Sequence, residues 1–301
     1  MAIVQTRSAA GGRALMAATH SRGQIKMLAR ELQRNRGAMV GLIVLLLLVA
    51  MAVFASIVAT HDPIDVVPSE RFVPPSSDHW LGTDKYGRDI YSRIVHGARI
   101  SLMIGFISVG IGVLAGVPLG LLAGWAGGWT NALIMRMTDA MLALPGLLLA
   151  LSVVAALGPS LTNAMIAVGV GTVPTYIRLV QSGVLSAREH MYVDSARVTG
   201  CSAARIMFRH VLPNVAAPVI VVSTLGMGGA ILAAAGLSFL GLGAQPPTPE
   251  WGATVADGRD FLAKAWWVST FPSVAILVTV LAINLFGDGM RDALDPRLRR
   301  R

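Results

Sequence analysis

Few residues in this 301-residue chain could do covalent or acid–base chemistry, and none are grouped for it along the sequence. There is no Gly-x4-Gly-Lys-Ser/Thr cradle for phosphate, no His-Glu-x2-His pair and no nucleophile beside a base. His61, His79, His96, His190 and His210 are scattered and read as surface residues. The single cysteine, Cys201, allows no internal disulfide and reads as a small packing residue after Gly200. Catalytic residues, metal ligands and a bound cofactor are therefore expected to be absent. The residues that carry a chemical message form a polar, basic island. It runs from Tyr192 through Asp194, Ser195, Ala196, Arg197 and Gly200 to His210, Leu212, Pro213 and Asn214, between two apolar stretches. Such an island needs something outside the apolar phase to meet, and it reads as a docking site.

The elements that hold this island are set by composition. Hydrophobic residues make up 54% of the chain and charged residues 14%, against about 25% charged in soluble domains. The surrounding solvent must be membrane lipid, and one all-α membrane domain is expected. The first span, Ala38–Ala59, is uncharged and long enough to cross about 30 Å of hydrocarbon at about 1.5 Å per residue. Val53-Phe54-Ala55 could pass as a cleavage tripeptide, but the span and the basic stretch before it are too long for a signal peptide, so the segment is expected to be retained. Further spans are expected at Ile100–Ala123, Ala132–Leu157, Leu161–Gln181, Val215–Leu242 and Ser269–Phe286, giving six transmembrane helices.

Charge orients them. With Arg136 and Arg178 counted at their helix ends, the side that holds both termini and the island carries 18 of the 25 Lys and Arg residues, and the other side 7. The positive-inside rule then puts both termini in the cytoplasm. The chain divides into a tail 1–37, a first helix 38–60, an extracytoplasmic loop 61–98, a core 99–290 with a cytoplasmic coupling segment 183–214, and a tail 291–301. The net charge of +9 is mostly this orientation signal, and nucleic acid is not an expected partner.

Gly112, Gly116, Gly120 and Gly124 recur every four residues, which lines one helix face with small residues and predicts close helix packing. Pro145-Gly146 and Pro174 interrupt their spans and are candidate hinges. Arg136, Asp139 and Arg178 lie near helix ends, where they can snorkel, so no proton relay is expected. On the outer side, the segment Lys85–Arg99 reads as the start of an interfacial helix anchored by Trp80, Tyr86 and Tyr91, and three prolines stiffen the loop around Gln245–Trp251. The island itself reads as two short helices. Ala187–Thr199 ends at Gly200, and a second helix, capped by Ser202, is stopped by Pro213.

These residues resemble a known family. Asp194-Ser195-Ala196, Gly200, His210 and Leu212-Pro213 keep the spacing of the Glu-Ala-Ala-x3-Gly-x9-Ile-x-Leu-Pro signature of binding-protein-dependent ABC importer permeases, with Asp for Glu, Ser for Ala and His for Ile. Leu81-Gly82-Thr83-Asp84, Gly87-Arg88-Asp89, Gly97-Ala98-Arg99, Leu144-Pro145, the Gly243–Gly252 stretch and Gly287–Pro296 are similar to the C-type permease subunit of dipeptide and oligopeptide importers. About residues 35 to 298 are covered.

The resemblance implies a type I importer core of five helices preceded by one N-terminal helix, in a bacterial inner membrane. It implies a heterodimer with a B-type permease, two cytoplasmic ABC ATPases that hold ATP and Mg, and an extracytoplasmic substrate-binding protein. Asp194, Ser195, Ala196, Gly200, Leu212 and Pro213 would then couple to the ATPases. The same architecture could import a nickel chelate, glutathione or another small solute. A self-sufficient channel or secondary transporter is the reading from a different class; the scarcity of intramembrane charge and the size of the island count against it.

Overall fold

The computed structural model describes residues 31–294; most of the expected N-terminal tail, and the tail from residue 295 onward, lie outside the described residues. The elements are α1 (Arg36–Val53), the short α2 (Ala55–Val58), α3 (Ile90–Ala126), α4 (Gly128–Leu142), α5 (Gly146–Leu157), α6 (Leu161–Arg188), α7 (Met191–Val198), the short α8 (Ala203–Ile206), α9 (Leu212–Phe239), α10 (Trp251–Gly258) and α11 (Trp267–Leu294). Among the described residues the only extended pairing is an isolated bridge, Thr83 with Asp89.

Among the described residues, five helical runs are long and apolar enough to cross a membrane: α1, α3, α6, Ala203–Phe239 and α11. The sixth crossing is not one helix. Pro145-Gly146 breaks the expected span into α4 and α5, which meet at 94°. Proline at that position cannot donate to the ladder, and α5 starts afresh behind it. Pro174, by contrast, leaves α6 continuous.

The glycine ladder fixes how the bundle is threaded. A Cβ on Gly116 would stand 2.5 Å from Tyr176 Cβ, one on Gly120 2.7 Å from the Ile177 carbonyl, and one on Gly124 2.7 Å from Val184 Cβ. Gly112 faces Thr172 and Tyr176 in the same way. Residue numbers rise together on the two helices, so α3 and α6 run parallel. Two parallel crossings joined by one connection require that the connection return across the membrane. The bent pair does so: arms of 15 and 12 residues at a near right angle reach about 28 Å end to end, close to the hydrocarbon thickness.

Three further helix pairs run antiparallel. Gly41 lies against the Ala282 carbonyl and Phe286, Gly289 lies against Ala38, and Asn35 Nδ2 donates to Asp292 Oδ2 at 3.3 Å, so α1 and α11 begin and end together. Gly228 faces Val280 and Gly287 faces Leu225, pairing α9 with α11; Gly105 faces Ile231, pairing α9 with α3. Asn35, Asp292, the end of α3 and the start of α9 therefore share one side of the bundle.

The opposite side is a polar layer that the sequence reading drew as loop and interfacial helix. Residues 81–89 are irregular, and α3 starts at Ile90, ten residues before the expected span. Asp89 caps it, accepting from Ser92 N at 2.7 Å. Arg93, in the first turn of this longer helix, is buried and donates to the Pro63 and Pro247 carbonyls and to Thr254 Oγ1. Arg88 Nη2 donates to Asp257 Oδ2 at 2.8 Å and its Nε to Asp84 Oδ2 at 2.6 Å, while Lys85 Nζ lies 2.9 Å from Asp257 Oδ1. Trp267 Nε1 donates to the Thr83 carbonyl and Trp251 Nε1 to the Ile94 carbonyl, stitching both outer loops to the helix starts. Burial pulls the Lys85 ammonium down, but the Asp257 hydrogen bond and charge outweigh it and raise its pKa above the ordinary value. Glu250 caps α10 through Gly252 N and Ala253 N; burial raises its carboxyl above the ordinary value, against the pull of those two N–H groups and the Ser238 hydroxyl.

The α3–α6 contact can be tested directly. Gly120→Val should lower the thermal midpoint of the purified chain, by an overpacking penalty of about 1–3 kcal/mol. Gly110→Ala on the same helix, where a Cβ meets nothing within 4 Å, should not; scanning fluorimetry in detergent separates the two.

Candidate docking site

The island emerges as a helical elbow on the side shared by Asn35 and Asp292. α6 runs on to Arg188, beyond its expected end, because Arg188 Nη1 donates to the carbonyls of Gly124 and Trp125 at the end of α3, at 2.9 and 3.1 Å. A cation there also meets the negative end of the α3 dipole. The expected helix Ala187–Thr199 is divided: His190 is extended, with φ −84° and ψ 139°, and α7 begins after it.

The end of α7 follows from Gly200. Its φ of +78° lies in the left-handed region that other residues enter at a cost of about 1–2 kcal/mol. Cys201 N donates to the Ala196 carbonyl and Gly200 N to the Arg197 carbonyl, at 3.0 and 2.9 Å, so the last turn closes as a Schellman motif. Ser202 then caps α8, accepting from Arg205 N. Pro213 does not stop that helix. A π-turn at Met207–Val211 carries the chain from α8 into α9, with Pro213 in the first turn of α9. Proline is tolerated at such a start, and the widened turn before it absorbs the missing donor.

The two faces of α7 have different fates. Val193 and Ala196 point inward, into an apolar cluster with Leu121, Val180, Val184, Ile206, Val211 and Val215. This cluster joins α7 to α3, α6 and α9. Cys201 packs at its edge. Arg197 lies over the Trp125 ring at 5.9 Å, and Asn214 Nδ2 donates to Tyr192 Oη at 3.2 Å, so both ends of the elbow are tied to long helices. On the outer face, Met191, Asp194, Ser195 and Val198 follow one another at helical spacing. Met191 is 84% and Val198 88% exposed. Ser195 Oγ donates back to the Met191 carbonyl. Asp194 reaches only Arg197, at 3.3 Å across exposed surface, a pair that contributes little to stability.

Of the residues singled out in the sequence, Asp194 and Ser195 face outward, Ala196 faces the core, Gly200 shapes the bend, and Leu212-Pro213 open α9. Met191 and Val198 carry no distinguishing signal in the sequence, because exposed apolar residues cannot be told from buried ones in so short a helix. The histidines are not all surface residues: His79 is 6% exposed and lies beside His61 and Asp89, which are distant in sequence. Arg178 and Asp139, placed separately near helix ends, form an ion pair.

A parallel α3–α6 pair with a bent return, a fourth and a fifth crossing and a rigid elbow on one side describe a membrane permease built like those of ABC importers. The solved structures agree on that fold. The chain matches the inward-facing MetNI methionine ABC transporter in two crystal forms, with TM-scores of 0.54 and 0.58 at 17% and 18% identity, covering 67% and 68% of this chain and 96% and 98% of the matched chain. Residues 116–300 match the family model described as binding-protein-dependent transport system inner membrane component, and residues 23–75 match that of the N-terminal TM domain of oligopeptide transport permease C. The chain belongs to this family of transport permeases. It is 48% identical over 270 residues to the dipeptide transport system permease protein DppC of Alkalihalophilus pseudofirmus, covering 90% of this chain and 89% of that one. It is 48% identical over 281 residues to the di/tripeptide transport system permease protein DppC of Pseudomonas aeruginosa (91% and 93%), and 46% over 271 residues to the glutathione transport system permease protein GsiD of Pectobacterium atrosepticum (90% of each).

The inward face of α7 should be intolerant of bulk and the outward face tolerant. Ala196→Leu is expected to destabilise the chain by about 1–3 kcal/mol, whereas Ser195→Leu should leave its stability within about 0.5 kcal/mol of wild type; thermal unfolding of both in one detergent checks this.

Proposed function

We propose that this chain is one half of the translocation pathway of an ATP-driven peptide importer, paired with a B-type permease and driven by two cytoplasmic ABC ATPases that carry the ATP and Mg. The observation that carries the reading is the elbow: an exposed face of Met191, Asp194, Ser195 and Val198 on a helix whose other face is locked into α3, α6 and α9. An apolar surface of this kind, on a segment outside the lipid, calls for a partner. A short rigid helix also transmits a displacement that a flexible loop would absorb. The excess of Lys and Arg on the elbow side, 18 of 25, argues that this side is cytoplasmic. The polar layer opposite would then receive an extracytoplasmic binding protein. Di- or tripeptides are the proposed substrates, on the names of the relatives at 48% identity; the glutathione permease at 46% supports a second reading in which the cargo is a modified tripeptide.

Reconstitution with the second permease, the ATPases and the binding protein tests this. ATP-dependent uptake of a labelled dipeptide is expected; uptake of glutathione alone would favour the second reading. Gradient-driven transport by this chain alone would overturn the importer assignment.

Val198→Glu should abolish co-purification of the ATPases while leaving the permease folded, since the residue touches little of its own chain. A Cβ at Gly200 would meet no atom within 4 Å, so the cost of Gly200→Leu starts with its left-handed φ of +78°, about 1–2 kcal/mol, and falls on the bend. The variant should assemble yet hydrolyse ATP without uptake, and wild-type coupling in it would remove the coupling role of the bend.

A further inference from the structure

The polar layer holds a cluster that transport does not explain. His79 Nδ1 lies 3.0 Å from Asp89 Oδ1, and His79 Nε2 lies 3.3 Å from Glu70 Oε2. His61 Nδ1 lies 3.9 Å from the same Asp89 oxygen, and the two imidazole rings are 4.7 Å apart, tilted by 31°. One ligand atom from each of His61, His79 and Asp89 falls within 4.8 Å of the other two.

Valence makes this arrangement informative. A neutral imidazole has one N–H and one lone pair, yet both nitrogens of buried His79 face a carboxylate oxygen. With a single ring proton, one of those contacts sets a lone pair against an anionic oxygen; either a second ring proton, which lets both nitrogens donate, or a bound cation resolves it, and the second imidazole beside the same Asp89 oxygen favours the cation. A cation held between His61, His79 and Asp89 removes the conflict: Nδ1 gives its lone pair to the metal and Nε2–H donates to Glu70. That is the carboxylate–histidine–metal arrangement, in which the outer carboxylate fixes the tautomer of the ligating ring. Asp89 can ligate without giving up its structural role, because Oδ2 caps α3 through Ser92 N while Oδ1 is the oxygen facing the histidines.

Charge and donor type narrow the ion. Two carboxylates and two neutral imidazoles balance a 2+ charge, and two nitrogens with one oxygen suit a transition metal over Mg or Ca. Tetrahedral zinc ligands at about 2.0–2.1 Å from the ion lie roughly 3.3 Å from one another; the two distances to Asp89 Oδ1 are 3.0 and 3.9 Å and all three ligand atoms fall within 4.8 Å, so His61 must move inward to close on an ion. His61 is half-exposed, so its ring can turn from its present contact with Thr60 Oγ1 at 3.0 Å. It also lines an open hollow of about 620 Å³ with Asp62, His96 and Arg99, through which an ion could reach the cluster.

We propose that His61, His79 and Asp89, with Glu70 behind His79, form a divalent transition-metal site suited to Zn2+, which clips the segment after α2 and the loop around residue 79 to the start of α3. Titration calorimetry of the full chain in detergent, after chelator treatment and with Zn2+ alone as the probe, tests it. One equivalent of Zn2+ per chain is expected, with a rise in thermal midpoint. His61→Ala and His79→Ala should each weaken binding at least tenfold and remove the rise. Glu70→Gln should weaken binding about 10–100-fold, and His96→Ala in the same hollow should change nothing. Co2+ in place of Zn2+ should give tetrahedral ligand-field absorption in the wild type only. Since His79 is buried, half-exposed His61 guards against loss by misfolding. Absence of Zn2+ binding in the wild type, or undiminished binding in His61→Ala, would overturn the site; equal competition by Mg2+ would overturn its transition-metal class.

Discussion

In a lipid surround apolar side chains gain little by touching one another, so helix association depends on how closely two backbones approach. Between α3 and α6 the approach is set by four glycines spaced four apart, each of which leaves room for a side chain or carbonyl of the facing helix. The contact fixes more than distance. Because its register rises along both helices, it makes them parallel, and a parallel pair obliges the chain between them to return across the membrane. The broken pair α4–α5 is the consequence, with the break falling at Pro145-Gly146.

The same contact anchors the elbow. The far ends of α3 and α6 supply Leu121, Val180 and Val184 to the cluster that receives Val193 and Ala196. Trp125 and Arg188 add a cation–π contact and two hydrogen bonds at the same end. In the proposed coupling role, a push on the outer face of α7 would be delivered to three long helices at once, because Val193 and Ala196 pack against residues of all three. Gly200 and the π-turn before Pro213 shape the bend with ordered backbone on both sides.

The opposite side is held by different physics. Asp84, Arg88, Arg93 and Asp257 are largely shielded from solvent, and their charges are met by one another and by backbone carbonyls. Losing one partner of such a network is costly because the other is left unpaired. The layer is therefore a rigid lid over the bundle, and the His61–His79–Asp89 cluster lies within it.

Much was legible in the chain itself. The excess of apolar residues dictates a helical membrane protein, because only helices or closed barrels satisfy the backbone in lipid. Glycine spacing marks the packing face, and Gly200 and Ser202 mark the elbow, since both signals act within a few residues. What depends on distant partners was decided only by the tertiary structure. Arg93 reads as part of an interfacial helix until Pro63, Pro247 and Thr254 are seen around it, and α3 starts earlier than expected for that reason. Pro213 reads as a stop until the π-turn before it is seen, and the histidines read as scattered until the fold sets His61 against His79. Local patterns record what a residue does to its own backbone; what neutralises a charge, or which ring meets which carboxylate, is settled by segments that meet only when the chain is packed.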